Sequence, residues 1–288
     1  MKITSLLYLT SVGIFAGSLQ LPLARAADLT WNGGNSSWTD SGAWLLDGSS
    51  ADWINGSSAL FQTGSTLIVG SGISAAGLLY EGAAVTLNGG SLTLAGNASG
   101  SNGGSATLSG TALTLNSANQ EDRWTVRDTS LSGSSTLTKT GNGTVTLSGT
   151  HTANGTWNIN AGTLVFTGTR DITGGGQINI ASGAVLDASG GRLFHAANYA
   201  SNWEQPTITL NGGTLKLNQF GYNSASLGCL QNNFYALKFS SGTTSRVIIS
   251  QGYESGGTGS RGIYIAGWGT TAVIELGANQ TFTWSSSN

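Results

Sequence analysis

The sequence is poor in charged residues, and this shortage is the first constraint on what the protein is. Asp, Glu, Lys and Arg make up 8% of its 288 residues, whereas soluble domains typically carry about 25%. The net charge is −2 at pH 7, which gives no support to a nucleic-acid partner or an anionic membrane, because both attract clusters of Lys and Arg. Ser, Thr, Asn and Gly must therefore fill most solvent-facing positions.

Cysteine, histidine and proline are scarce as well. The single cysteine, Cys229, cannot form an internal disulfide, and one Cys with two His cannot build a metal cluster from soft ligands. We therefore expect no metal site and no cofactor, and a fold that depends on burial and backbone hydrogen bonds. Because Thr, Asn and Gly are poor helix formers, the composition favours strands.

Residues 1–26 have the features of a secretory signal peptide. Lys2 supplies positive charge, an apolar run spans 3–21, and Ala24-Arg25-Ala26 gives a cleavage site between small residues. An N-terminal membrane anchor is the alternative, but Thr, Ser, Gly and Gln interrupt the run, whereas a span needs roughly 18 apolar residues. We expect export, cleavage after Ala26 and no membrane span in the mature chain.

The rest of the sequence repeats one phrase, in which two short alternating segments flank a glycine turn. Examples are "AVTLNGGSLTLAG" at 84–96, "TWNINAGTLVFTG" at 156–168, "GQINIASGAVLDASG" at 176–190 and "TITLNGGTLKLNQ" at 207–219. Alternation with a period of two predicts half-buried strands. No window shows a helical period.

The repeats predict an all-β solenoid, in which similar coils stack and bury a common apolar column. We align them on the residue before the turn, at Leu87, Ile159, Ile180 and Leu210; Ile159 and Ile180 are about 20 residues apart, as in one coil. A β-sandwich or a closed barrel also uses evenly spaced strands, but resemblance between units favours stacking. The residues that should form the column include Val145, Leu147, Ile159, Leu164 and Phe166.

Three stretches interrupt the repeats. The charged segment 118–130 is interpreted as a boundary between coils, and segments 192–206 and 251–269 as loops that project from them. We assign 27–83 to an N-terminal cap with the first coils and 84–288 to the repeats.

The segment 137–168 contains three short phrases: Leu137-Thr138-Lys139-x-Gly141, then Gly143-Thr144-Val145-Thr146-Leu147-Ser148-Gly149, then Asn160-Ala161-Gly162-Thr163-Leu164. Together they closely resemble the autotransporter-associated β-strand repeat of large exported bacterial proteins, whose pattern is Leu-Thr-Lys-x-Gly, Gly-Thr-Leu-Thr-Leu-Ser-Gly and Asn-Ala-Gly-Thr-Leu. The segment departs from the family where Val145 replaces a Leu and where "THTANGTWNI" lacks the usual Tyr-Thr-Gly turn.

The resemblance implies a single elongated domain with a right-handed parallel β-helix, and a location at the cell surface or outside the cell, as in the passenger region of a bacterial outer-membrane autotransporter or adhesin. It implies no catalytic residues. The final segment, 277–288, repeats the beginning of 117–126, a phrase after which such proteins tend to continue with a further repeat. We therefore expect the chain to be the N-terminal piece of a longer protein.

A catalytic alternative must be weighed, because parallel β-helices also include enzymes that cleave polysaccharides. Such chemistry needs paired carboxylates or acidic calcium ligands with a base, and the densest candidate set is Asp187, Arg192, His195 and Glu204. We prefer the interpretation that Asp187 closes a turn through nearby backbone N–H groups. The chain is thus expected not to be an enzyme.

Aromatic residues are the better functional indication. Trp31, Trp38, Trp44 and Trp53 are interpreted as a cover for the open end of the column. Exposed Trp and Tyr faces also stack on sugars and anchor interfaces, so the aromatic residues of the expected loops are the candidate ligand-binding residues: Tyr199, Trp203, Tyr253 and Trp268. The expected partner is a host surface, an extracellular matrix or a glycan, and the runner-up function is a carbohydrate-binding or polysaccharide-degrading β-helix.

Overall fold

The computed structural model describes residues 27–33, 36–170, 176–193, 207–221, 229–230, 234–254, 262–266 and 271–276. Within these ranges the chain is all-β and has no helix, so none that could cross a membrane. Parallel strands stack as a β-solenoid of about six three-stranded turns, followed by turns in which two strands are described. This confirms the predicted class and excludes a sandwich or an up-and-down barrel, because both are built from antiparallel pairs.

A complete turn contains three strands, and equivalent strands stack into three faces. Face 1 contains the first part of Ile73–Glu81 and then Ser91–Leu94, Ala112–Asn116, Thr136–Thr140, Trp157–Ile159, Gln177–Ile180, Thr207–Leu210, Phe234–Phe239 and Gly262–Ala266. Face 2 contains Asp28–Trp31, Ser57–Phe61, the last part of Ile73–Glu81, Ala98–Ser101, Arg123–Val126, Thr144–Leu147, Thr163–Phe166, Val185–Asp187, Thr214–Gly221, Thr244–Glu254 and Thr271–Leu276.

Face 3 is shorter and contains Ser65–Ile68, Ala84–Asn88, Ser105–Ser109, Thr129–Ser132, Thr150–His151 and Thr169–Arg170. Cys229–Leu230 pairs in parallel with the end of Thr214–Gly221. Two antiparallel strands, Trp44–Leu46 and Ser49–Ala51, join the stack at its N-terminal end, where Trp44–Leu46 pairs with Asp28–Trp31.

Equivalent residues of successive turns lie side by side, and this register builds the core. On face 1, Leu137 is paired with Trp157, Trp157 with Ile178 and Ile178 with Ile208. All four side chains are buried, and burying one such side chain contributes about 1.5–3 kcal/mol. The predicted column is confirmed, since Val145, Leu147, Ile159, Leu164 and Phe166 are all fully buried.

One part of the repeat alignment is wrong. Ile159, Ile180 and Leu210 are register partners as expected, but Leu87 lies on face 3, beside Leu67 and Leu108. The phrase "TLNGGSLTL" at 86–94 occurs at the corner between faces 3 and 1, whereas the similar phrase "TLNGGTLKL" at 209–217 occurs at the corner between faces 1 and 2. Both corners need a glycine turn between two alternating strands, so similar sequences serve different corners.

The interpretation of two interrupting segments also needs correction. Segment 118–130 is no boundary between coils, because it contains the face 2 strand Arg123–Val126 of a turn that begins at Ala112. Its charged residues lie in the bends on both sides of that strand and at its first position. Segment 251–269 is not one loop, since 251–254 and 262–266 are strands whose residues pair in register with neighbouring turns. Of segment 192–206, residues 194–206 lie outside the described residues.

The N-terminal tryptophans pack against one another inside the first turns. Trp38 and Trp44 are fully buried with ring centroids 5.0 Å apart, and Trp44 lies 5.1 Å from Trp31 and 4.7 Å from Trp53. The Trp44 indole N–H donates to the Trp38 carbonyl over 2.7 Å. The buried faces of these rings are not available to stack on a sugar.

Glycine is required where the backbones of adjacent turns approach most closely. Gly141 has a φ of +70°, and a Cβ placed there would lie 2.1 Å from the Ser117 carbonyl oxygen of the preceding turn. Gly183 has a similar φ of +73°, yet a Cβ there would meet nothing within 4 Å. An alanine at Gly183 would therefore suffer only from the left-handed backbone conformation, whereas an alanine at Gly141 would also collide with the preceding turn.

We expect Gly141→Ala to destabilise the protein much more than Gly183→Ala. Gly183→Ala incurs only the left-handed penalty, about 1–2 kcal/mol, whereas Gly141→Ala must also push two turns apart. Thermal unfolding followed by circular dichroism compares the two variants. Equal losses of stability would show that close stacking at Gly141 contributes nothing.

Candidate functional site

The structure tests none of the four ligand-binding residues expected from the sequence. Tyr199, Trp203 and Trp268 lie outside the described residues, as does the side chain of Tyr253, whose backbone belongs to the strand Thr244–Glu254. Their role in binding stays a prediction. His195 and Glu204 of the weighed catalytic set also lie outside the described ranges.

Asp187 behaves as a turn-closing acid. Its carboxylate accepts hydrogen bonds from the Ser189 backbone N–H at 3.2 Å and the Ser189 hydroxyl at 2.6 Å, so it makes a turn-closing contact of the expected kind. It also forms an ion pair with Lys216 of the next turn, with 3.6 Å between the charged atoms. Arg192 accepts a backbone hydrogen bond from Arg170 and donates one to Gly168, so its main chain extends face 3.

The most unusual chemistry lies inside the solenoid. Lys139, His151 and Arg170 are fully buried although they belong to the most polar residue types. We call them the interior polar set. His151 and Arg170 are direct register partners on face 3, and both contact the ring of Trp157.

Lys139 occupies a place that aliphatic residues hold in the neighbouring turns. Its register partners on face 1 are Leu115 and Ile159. Its ammonium donates to the carbonyls of Thr140 at 2.8 Å, Gly141 at 2.8 Å and Ala161 at 3.1 Å. These bonds use all three N–H donors of the group, and the bond to Ala161 ties one turn to the next.

Burial lowers the pKa of Lys139 to about 8, and the negative charge of Asp122 opposes this effect. The amine is therefore still charged at pH 7. An ammonium held by three carbonyls in an apolar column is a structural cation, because both its charge and its hydrogen bonds are satisfied within the protein.

His151 replaces a missing backbone bond. Among the described strands, no ladder pairing joins Thr150–His151 to the preceding face 3 strand, Thr129–Ser132. Instead, the Leu131 backbone N–H donates to His151 Nδ1 at 3.3 Å. The imidazole nitrogen thus accepts the hydrogen bond that a carbonyl of a paired strand would accept in a regular ladder. Burial lowers the pKa of His151 to about 4; a hydrogen bond with the Ser148 backbone opposes this shift and the charge of Arg170 adds to it. The imidazole is therefore neutral at pH 7, as an accepting Nδ1 requires.

Arg170 connects the same region through its guanidinium. Its Nη2 donates to the Gly155 carbonyl at 2.8 Å, and its Cζ lies 4.6 Å from the Trp157 ring centroid. Trp157 also meets Phe166 edge-on, with ring centroids 5.2 Å apart. A desolvated cation–aromatic contact of this kind is worth about 2 kcal/mol, so the arrangement stabilises the stack.

The interior polar set offers no arrangement for bond-making chemistry. Its lysine donates to carbonyls, its histidine accepts from an amide and its arginine stacks on an indole, and all three side chains are fully buried. Among the residues that the structure describes, no group of three His, Cys, Asp or Glu side chains lies close enough to hold a metal.

Sequence reasoning missed this set although a signal was present. In "TLTKT", strict alternation places Lys139 on the same side of the strand as buried Leu137. The usual expectation that lysine faces solvent hid that indication.

Comparison with known proteins points to the same region. The sequence model of one family, described as passenger-associated-transport-repeat, matches residues 137–166. Residues 137–166 are therefore similar to a passenger-associated-transport-repeat, and we call this segment the transport repeat. This transport repeat covers two face 1 strands, two face 2 strands and the face 3 strand Thr150–His151, and it includes Lys139, His151, Trp157 and Phe166. The transport repeat and the β-solenoid fold together fit a chain that is similar to an autotransporter passenger. No curated protein and no solved structure matches the chain.

We expect Lys139→Met in the transport repeat to lower the free energy of unfolding by about 3 kcal/mol. Methionine fills the space of the side chain but leaves the Gly141 and Ala161 carbonyls without their donor, and an unsatisfied buried polar group costs about 1–3 kcal/mol. Leu115→Met, at the equivalent position of the preceding turn, is the control and should cost less than about 1.5 kcal/mol. Urea unfolding measures both, and equal effects would contradict the role of the amine.

We expect His151→Gln to remove part of the acid sensitivity of the protein. The folded state holds the pKa of His151 near 4, below the ordinary 6.5, so the unfolded chain binds more protons in this window. Stability should fall as pH drops from 6.5 to 4, by up to about 3 kcal/mol from this group. The glutamine amide oxygen can still accept from the Leu131 N–H, but the side chain does not titrate. Unfolding midpoints measured across this window should fall less steeply for the variant; parallel curves would refute the prediction.

Proposed function

We propose that the protein is an exported, non-enzymatic structural and adhesive β-solenoid of the cell surface or secreted fraction. The observation that carries this proposal is the transport repeat at 137–166, which forms part of one continuous stack of turns. Support also comes from the signal-peptide features of residues 1–26 and from the low charge of the chain.

The architecture suits a chain that folds while it emerges from a membrane. Each turn is hydrogen bonded mainly to its sequence neighbours, as the pairing of Trp157–Ile159 with Thr136–Thr140 and Gln177–Ile180 illustrates. Such a solenoid can grow one turn at a time, because the last folded turn supplies the pairing edge for the next. Its role at the surface would be to hold the chain extended and present its faces to a partner.

Export is tested in the native host with antibodies raised against the purified chain. We expect the mature protein to begin at Ala27, as read by mass spectrometry, and to be digested when protease is added to intact cells. A protein that keeps Met1 and resists protease until the cells are lysed would refute export.

The alternative, a polysaccharide-degrading enzyme, rests on Asp187 as the available carboxylate. Purified protein incubated with plant and bacterial polysaccharides should release no new reducing ends. Asp187→Ala and Lys216→Ala remove the same ion pair, but only the first removes a carboxylate. Depolymerisation that Asp187→Ala abolishes and Lys216→Ala preserves would replace the structural function with the enzymatic one.

A further inference from the structure

Face 1 carries an outward ladder of uncharged polar side chains. The middle outward position of six successive strands is filled by Thr93, Thr114, Thr138, Asn158, Asn179 and Thr209, each paired in register with the next and without a bulge. All six side chains are partly exposed. We call this set the face 1 ladder.

The ladder is regular in position and in chemistry. In-register strands repeat about every 4.8 Å, so it presents one hydroxyl or amide group at each interval. The Asn179 amide donates to the Asn158 side-chain oxygen at 2.8 Å, which holds two neighbouring amides in a fixed orientation. Every member can both donate and accept hydrogen bonds, and the threonine methyl groups add apolar contact.

Because the six ladder residues are uncharged, they favour an uncharged partner over a charged one. The first charge along this register position is the exposed Lys238, which pairs with Thr209 in the next turn. Face 2, by contrast, carries Asp187 and Lys216 at its corresponding outward position. An uncharged partner that both donates and accepts hydrogen bonds loses least when it leaves water for this surface. Sugar hydroxyls have this property.

The size of the ladder favours a repetitive partner over a second copy of this chain. Six strands about 4.8 Å apart and about four residues wide offer roughly 400 Å², half of the about 800 Å² that each partner buries in a stable protein complex. Many weak contacts to a repeating partner reach useful strength through multivalency.

We propose that the face 1 ladder is the contact surface for a neutral polysaccharide presented as a fibre or an insoluble surface. This inference rests on the adhesive part of the proposed function and assigns it a place and a ligand class. Thr and Asn side chains of successive turns hydrogen bond to the hydroxyl groups of successive sugars, and the methyl groups of Thr pack on sugar C–H groups.

The test measures depletion of the full-length chain from solution by cellulose, chitin and insoluble mannan, with a range of NaCl concentrations. We expect saturable binding to at least one of these solids, with little dependence on salt because no ion pairs form. Binding that salt abolishes, or no binding to any neutral polysaccharide, would overturn the proposal. Export is measured separately in cells, so its failure would not be confused with failure of the ladder.

The decisive variant is Thr114→Lys together with Asn158→Lys, which places two ammonium groups within the ladder. We expect the dissociation constant to rise about tenfold or more. The control is Thr107→Lys together with Thr86→Lys, because these two partly exposed threonines belong to a ladder of similar chemistry on face 3. That ladder spans only four strands, at Thr66, Thr86, Thr107 and Ser130, and so offers fewer contacts to a repeating partner. If the control weakens binding as much as the face 1 variant does, the proposed surface is wrong.

A gentler variant keeps the test valid if charged side chains impair folding. Thr114→Val removes one hydroxyl and keeps the shape, so it should weaken binding by a few-fold, whereas Thr107→Val should not. Unchanged binding by Thr114→Val would overturn the hydrogen-bonding role. Inhibition of ice recrystallisation without polysaccharide binding, or a dimer in sedimentation that Thr114→Lys dissociates, would replace the polysaccharide with ice or with a second copy.

Discussion

The parallel, in-register hydrogen bonding between turns is the constraint on which the rest of the structure depends. Because each strand pairs with the equivalent strand one turn away, every side chain lies next to its counterpart. Leucine is therefore stacked on leucine inside, as at Leu92 and Leu113, and threonine on threonine outside, as at Thr93 and Thr114. A single polar residue in an inward position is stacked in the same way, so it must find its partners inside the column.

The interior polar set shows how this constraint is met. Lys139 continues an aliphatic column but reaches the corner, where it satisfies carbonyls of two turns. His151 fills a gap in the face 3 ladder, and Arg170 of the next turn lies on the same indole as His151. These residues join the turns of the transport repeat by bonds that a purely apolar core cannot make. They act on stability, and the outward ladders remain as the surface that meets other molecules.

Alternation made much of the fold predictable from the sequence. A period of two identifies buried positions without any knowledge of which strands pair, and Val145, Leu147 and Phe166 are buried as expected. The register between turns is harder to predict, because the same phrase, "TLNGG", forms the glycine turn at two different corners of the solenoid. Leu87 and Ile159 therefore precede similar glycine turns although they lie on different faces.

The sequence by itself determined the class of the fold, the inward and outward sides of each strand, and the resemblance of 137–168 to an exported repeat, because these depend on local spacing and residue type. Only the tertiary structure decided which turns are neighbours, and with them the partners of Lys139, His151 and Arg170. It also decided that Thr93 through Thr209 form one continuous ladder. The physical reason is that these contacts join residues about 20 positions apart. The number of residues in each turn varies with its loops, and this number decides which residues become neighbours.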